Sequence, residues 1–174
     1  MKYKNLHKYK LLYLLLILVL PGIFSQVIAD DKIRRANLPT TTSLELNELA
    51  QDTDWQVREA VAMNRKTPAI TLSALAQDEN IAVRIAVSTN LSTTNEIFKR
   101  LARDKAEQVR SVVARFEYVS AEVMAILAKD KSVDIRLEAA RNWNTDIGTL
   151  KKLSKDEFEE VRIMALRSLA DKKE

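Results

Sequence analysis

The apolar positions of this chain fall in short bursts with helical spacing. After Asp52 they stand at Val57, Ala60 and Val61, and after Pro68 at Leu72, Leu75 and Ala76. Spacing of i, i+3, i+4 puts each set on one face of a helix. The phrase "QVREAV" at 56–61 returns as "AVRIAV", "QVRSVV", "DIRLEA" and "EVRIMA", with its Arg at 58, 84, 110, 136 and 162. Every step is 26 residues without insertion or deletion, so one structural unit is stacked along the chain.

Aligned at that period, the sequence resolves into columns. Leu49, Leu75, Leu101, Leu127 and Leu153 form one; Leu46, Leu72, Phe98, Met124 and Leu150 precede them by three; Val57, Val83, Val109, Ile135 and Val161 form another, and Val61, Val87, Val113, Ala139 and Ala165 the last. These are the predicted core. Two helices of two to three turns per unit follow. Helices shorter than about 12 residues are marginal alone, so each must be covered by its neighbours in a one-dimensional stack. Start signals precede the first helix of a unit: Thr67 with Pro68 at the first helical position, a capping box Thr93 to Glu96, then Ser120, and Thr145 with Asp146. Asn64, Asn90 and Asn142 stand where the second helix ends, a place for a residue that tolerates the left-handed conformation.

The N-terminus has a different pattern. Lys2, Lys4, Lys8 and Lys10 precede ten apolar residues, "LLYLLLILVL", and "PGIFSQVIA" follows with Val27 and Ala29 at the −3 and −1 positions of a cleavage site. That is the layout of a secretory signal peptide over 1–29, cut after Ala29. An uncleaved anchor is the rival, because Leu11 to Ala29 approaches the ~20 residues that span a bilayer. The expected organisation is a signal peptide at 1–29, a linker at 30–38 and a repeat domain at 39–174, in a secreted or periplasmic protein. Residues 1–29 hold four of the 28 bases and none of the 24 acids, which leaves 24 of each sign. The apparent basicity of the chain therefore belongs to the export segment, and a global electrostatic footprint for nucleic acid disappears with it.

Composition narrows the chemistry. The chain has no Cys and its one His is His7, so the part after the signal lacks the usual zinc ligands, the commonest general base and a thiol nucleophile. Gly148 is the one Gly after residue 29, which excludes a phosphate-cradling loop. No catalytic residue, cofactor or metal is expected, and the protein is read as not an enzyme.

Two further columns carry charge: Asp52, Asp78, Asp104, Asp130 and Asp156 at the turn between helices, and Arg58, Arg84, Arg110, Arg136 and Arg162 six residues later. They could form an anion-binding or catalytic stripe. The reading preferred here is a structural ladder, in which each Arg ties down the turn of the same or the next unit by charge-assisted hydrogen bonds. At these residues the chain resembles HEAT repeats, and the "LAxDxxxxVRxAVAxN" form with "TP" opening the next helix resembles the compact leucine-rich repeat variant, over Pro39 to Ala170. The resemblance implies an all-α, right-handed α-solenoid of about five short two-helix repeats, of the armadillo-like class, with the first helix of each unit partly 3₁₀. Without Cys, the cysteine-bound iron–sulfur cluster of some relatives does not carry over.

Function is then sought among the variable positions. Arg65, Leu91, Glu117 and Trp143 share a column beside the Asn, and Tyr118 lies diagonally from Trp143. Arg115, Arg141 and Arg167 follow Met63 and Thr89 in another column. The partner-binding candidates are Arg65, Arg115, Glu117, Tyr118, Arg141, Trp143 and Arg167, since exposed aromatics among charges are typical of protein hot spots. The last helix, with Ile163, Met164, Leu166 and Leu169, is the most apolar and could dock on a partner or on a second copy. These features point to protein binding by an exported scaffold, of which an inhibitor or immunity-type binder is a narrower form. A HEAT-like nucleic-acid binder using the Arg and aromatic residues is the alternative, and an enzyme using Glu117 and Glu138 a third.

Overall fold

The computed structural model describes residues 25–172, and among these it is all-helical, with eleven helices and no strand. Helix α1 covers residues 25–37. Seven-residue helices α2 (Ser43–Leu49), α4 (Ala69–Leu75), α6 (Asn95–Leu101), α8 (Ala121–Leu127) and α10 (Ile147–Leu153) alternate with nine-residue helices α3 (Trp55–Met63), α5 (Ile81–Thr89), α7 (Glu107–Arg115) and α9 (Val133–Arg141), and α11 (Glu159–Asp171) closes the series. The short helices are α-helical throughout, not 3₁₀. The signal peptide expected over 1–29 falls largely on residues 1–24, outside the described residues. Among the described residues no helix is long and apolar enough to cross a membrane.

The nine-residue helices and α11 form a continuous layer, α3 on α5 on α7 on α9 on α11, whereas among the seven-residue helices α6 and α8 make the closest neighbours. One core runs the length of the array. Leu46, Leu72, Met124, Leu150, Val57, Val83, Val109, Ile135, Val161 and the column from Val61 to Ala165 are fully buried. Each large side chain so buried stabilises by about 1.5–3 kcal/mol, and no single unit could enclose them.

Residues 30–38, expected as a linker, are instead the body of α1 and its exit. The 26-residue register extends through them: Lys32 stands one period before Arg58, Ala36 before Ala62 and Thr41 before Thr67. Ala36 is fully buried and Ile33 packs against the core. The Thr41 hydroxyl donates to the Arg35 carbonyl, as Thr67 does to Val61 at 2.6 Å one unit later. Because Asp31 and Arg35 replace the apolar pair of the other units, the periodic signal in the sequence stops short of α1 although the backbone register does not.

Three local expectations change. Pro68 is the N-cap of α4 and not its first residue. The capping box at Thr93 does not form: Thr94 is the N-cap of α6, and the Thr93 hydroxyl donates to the Val87 carbonyl at 2.6 Å. Thr67 and Thr145 do the same toward Val61 and Ala139, so this threonine ties the end of one helix to the start of the next. Ser120 and Asp146 do cap α8 and α10, through Val123 N and Thr149 N. The asparagines are not left-handed. Asn64, Asn90 and Asn142 have φ of −70°, −78° and −65°, and no non-glycine residue has positive φ among the described residues.

Their side chains explain them. Asn90 Nδ2 donates to the carbonyls of Ala62 (2.6 Å) and Asn64 (2.9 Å) in the preceding unit, while its Oδ1 accepts from Ser92 N (2.8 Å). Asn64 reaches Ala36 and Leu38 in the same way, and Asn142 reaches Ala114 and Phe116. The Asn column is therefore a second ladder between units. It is interrupted at Phe116, whose ring packs on Phe98 and Tyr118 with centroids 5.5 Å away. It stops at Ser168, where α11 continues as helix to Asp171.

Candidate functional site

The Asp and Arg columns consume one another. Arg58 Nε and Nη2 donate to Asp78 of the next unit at 2.6 and 2.9 Å; Arg84 grips Asp104, Arg110 grips Asp130 and Arg136 grips Asp156 with the same two-pronged geometry. Nη1 of each Arg turns back to its own unit, as Arg84 does to the carbonyls of Asp78 (2.8 Å) and Glu79 (3.1 Å). Each Asp meanwhile accepts from the backbone N two residues on, as at Asp104 from Ala106 N at 2.8 Å. That Asx turn requires a side chain as short as Asp, and the guanidinium requires its second oxygen. At the ends the pattern changes. Asp52 takes Lys32 Nζ at 2.6 Å, and Arg162 bonds the Asp156 and Glu157 carbonyls at 2.8 Å with no carboxylate partner among the described residues.

Burial pushes the carboxyls of Asp78, Asp104 and Asp130 up, but the Arg of the preceding unit and the backbone N–H outweigh it and hold each below the usual Asp value. At Asp156 the hydrogen bond from Arg136 is the largest influence and acts in the same direction. The pairs from Arg58 to Asp156 thus join each unit to the next through side-chain and backbone bonds and brace the array.

The variable positions come together elsewhere. The loops that follow α7 and α9 border an open groove of about 450 Å³, into which Arg115, Glu117, Tyr118, Glu138, Arg141 and Trp143 face. Tyr118 is 66% and Trp143 73% exposed, large apolar areas that the fold leaves in water. Tyr118 is braced edge-on by Phe116, and Lys172 lies 4.9 Å above the Trp143 ring while donating to the Trp143 carbonyl at 2.6 Å. Glu138 stands between Arg115 (3.6 Å) and Arg141 (3.4 Å), so those two cations are largely answered within the groove. Asn144 Nδ2 fixes the Glu117 loop through its carbonyl at 2.6 Å.

Arg65 and Arg167 are exposed but lie outside this groove. The expected Arg stripe is thus two residues at the groove and a third on α11. Phe116, Asn144 and Lys172 brace the groove although the sequence pattern does not single them out as partner-binding positions. Phe116 was detectable as the departure from the Asn column, whereas Lys172 reaches Trp143 only because α11 outruns its counterparts. No protein-family model matches the chain, and no curated protein matches it.

Proposed function

We propose that this chain is an exported, non-enzymatic repeat protein of the HEAT or leucine-rich-repeat-variant type, and that it binds another protein at the groove between the loops after α7 and α9. Its architecture reads best as a right-handed α-solenoid of five two-helix units, with α1 as a half-unit capping the N-terminal side. The carrying observation is the pair Tyr118 and Trp143, both exposed, both held in place by neighbours, and both flanking charges of either sign. Rigid aromatics with few rotamers lose little entropy on contact and dominate protein interfaces. The alternating Arg115, Glu138 and Arg141 would add orientation to that contact more than affinity.

A nucleic-acid reading would use the same arginines and aromatics. Glu117 and Glu138 stand in the groove beside them, and a phosphate backbone would have to approach those carboxylates.

The test is site-specific photocrosslinking in the producing cell, with the reactive side chain at position 143 and, as a control, at Ile70, which is 76% exposed and far along the chain. One discrete adduct from 143 and none from 70 is expected, with loss of the adduct on Tyr118→Ala. Equal labelling from both positions, or none from 143, would remove the proposal.

A further inference from the structure

Each nine-residue helix spans the layer, so the loops that form the groove and the turns that precede α3, α5, α7, α9 and α11 lie on opposite edges. On the turn edge, two columns change character along the chain. Positions 51, 77, 103, 129 and 155 read Gln, Gln, Arg, Lys and Lys; positions 53, 79, 105, 131 and 157 read Thr, Glu, Lys, Lys and Glu. Arg103, Lys105, Lys129, Lys131 and Lys155 are all exposed, and none is in an ion pair among the described residues. The carboxylates beside them, Asp104, Asp130 and Asp156, are each already paired with the Arg of the preceding unit. Glu157 is drawn toward Arg136 at 3.3 Å.

The fold does not ask for these charges. At the first column Gln51 and Gln77 bond the carbonyl four residues back, as Arg103 Nη1 does to Lys99 at 2.8 Å, so an amide serves the helix end as well. Lys105 stands immediately before Ala106, the N-cap of α7, and Lys131 immediately before Ser132, the N-cap of α9. A cation there meets the positive end of the helix dipole, which disfavours it. Arg103, Lys105, Lys129 and Lys131 nevertheless converge on one groove of about 360 Å³, and a second of about 300 Å³ holds Arg100, Arg103 and Lys105 with Glu79. Like charges gathered against the local dipole, on one edge of a stretch (residues 30–174) whose 24 bases and 24 acids balance overall, raise the local concentration of anions.

We propose that this edge of the array rests on an anionic lipid surface, with its lysines and arginines among the phosphate headgroups. The cations follow a line over consecutive units, which suits a flat sheet of charge better than a single small ion. No aromatic side chain lines either groove, so the base stacking on which single-stranded nucleic acid relies is absent. The inference does not depend on the groove at Tyr118 and Trp143, which faces away from this edge and would remain open to a partner.

The test compares two full-length chains, the natural one and the variant with Lys105→Gln, Lys129→Gln, Lys131→Gln and Lys155→Gln. Binding is measured by co-sedimentation with phosphatidylcholine vesicles and with vesicles containing about 30% phosphatidylglycerol. Both chains carry the same N-terminal segment, so the difference between them isolates the edge. The natural chain should prefer the anionic vesicles, and the variant should lose that preference by on the order of ten-fold or more, since basic residues near an anionic surface act additively. Raising the salt should reduce the difference. Circular dichroism should be unchanged, as should binding by Trp143→Ala. Equal binding of both chains to anionic vesicles would overturn the proposal. So would a tighter, lysine-dependent affinity for soluble tripolyphosphate or duplex DNA than for the vesicles.

Discussion

Lys32 Nζ lies 2.6 Å from Asp52 Oδ2, and it reaches that carboxylate from the place that one period later is Arg58. A flexible ammonium with one bond here does what the planar guanidinium does with two in the following units. Together with the Ala36 and Leu38 carbonyls held by Asn64, it makes α1 part of the array. A chain begun at residue 39 should therefore lose about 3 kcal/mol relative to one begun at residue 30, from the lost apolar cover and hydrogen bonds. Thermal unfolding followed by circular dichroism measures this, and equal midpoints would show that α1 contributes nothing.

The arginine column contains its own control. Replacing Arg84 by Met leaves the Asp104 carboxylate, 9% exposed, without its cation, and breaking a buried pair costs about 3 kcal/mol or more. Replacing Arg162 by Met strands no carboxylate and should cost about 1 kcal/mol. Urea titration of the two variants decides it: equal losses would mean that the inter-unit pairing is not the source of the stability.

Acid should dismantle the ladder. The carboxyls of Asp78, Asp104, Asp130 and Asp156 are held below the ordinary Asp value in the fold, so the unfolded chain binds protons more readily. Stability is then fully present above the unfolded pKa of about 3.9 and is lost as pH falls through the depressed folded values. Asp104→Asn should lower stability at pH 7 and flatten its dependence between about pH 5 and pH 2. An unchanged acid limb would refute the linkage.

The asparagine ladder predicts an order of severity. Asn90→Ala removes two donated bonds and one accepted bond at a site 4% exposed, at a cost of about 1–3 kcal/mol. Asn90→Asp is close in size but presents a charge to the Ala62 and Asn64 carbonyls, so it should be the worse of the two at pH 7 and should recover as the pH falls and the carboxyl becomes a donor. Denaturation midpoints at pH 7 and pH 4 check both the order and the recovery.

The repeated unit was legible because its signal is local. A helix of seven or nine residues shows its buried face in the spacing of Leu72, Leu75 and Ala76 or of Val57, Ala60 and Val61, and an unbroken period leaves no freedom in how the units align. The charged columns could be placed on turn and helix by the same counting. What counting left open was the partner: each Asp had two arginines within reach, and only the stacking distance decides that Arg58 takes Asp78 and leaves the Asp52 carboxylate to Lys32. Thr93 departs from its expected capping role for a related reason. In sequence it precedes a helix and looks like a cap, but in space its hydroxyl meets the Val87 carbonyl first.

By itself, then, the order of residues determined the helix pairs, their period, the core columns and the absence of Cys and His after residue 7, since all of these depend on side-chain type and on separations within about one unit. The tertiary structure decided what depends on distances between units: that α1 continues the array despite a lost apolar pattern, that the asparagines bridge carbonyls instead of turning left-handed, and that Arg115, Tyr118, Glu138, Arg141 and Trp143 meet at one groove. Those relationships arise from neighbours 20 to 28 residues apart in the chain, brought together only when the layers close on one another.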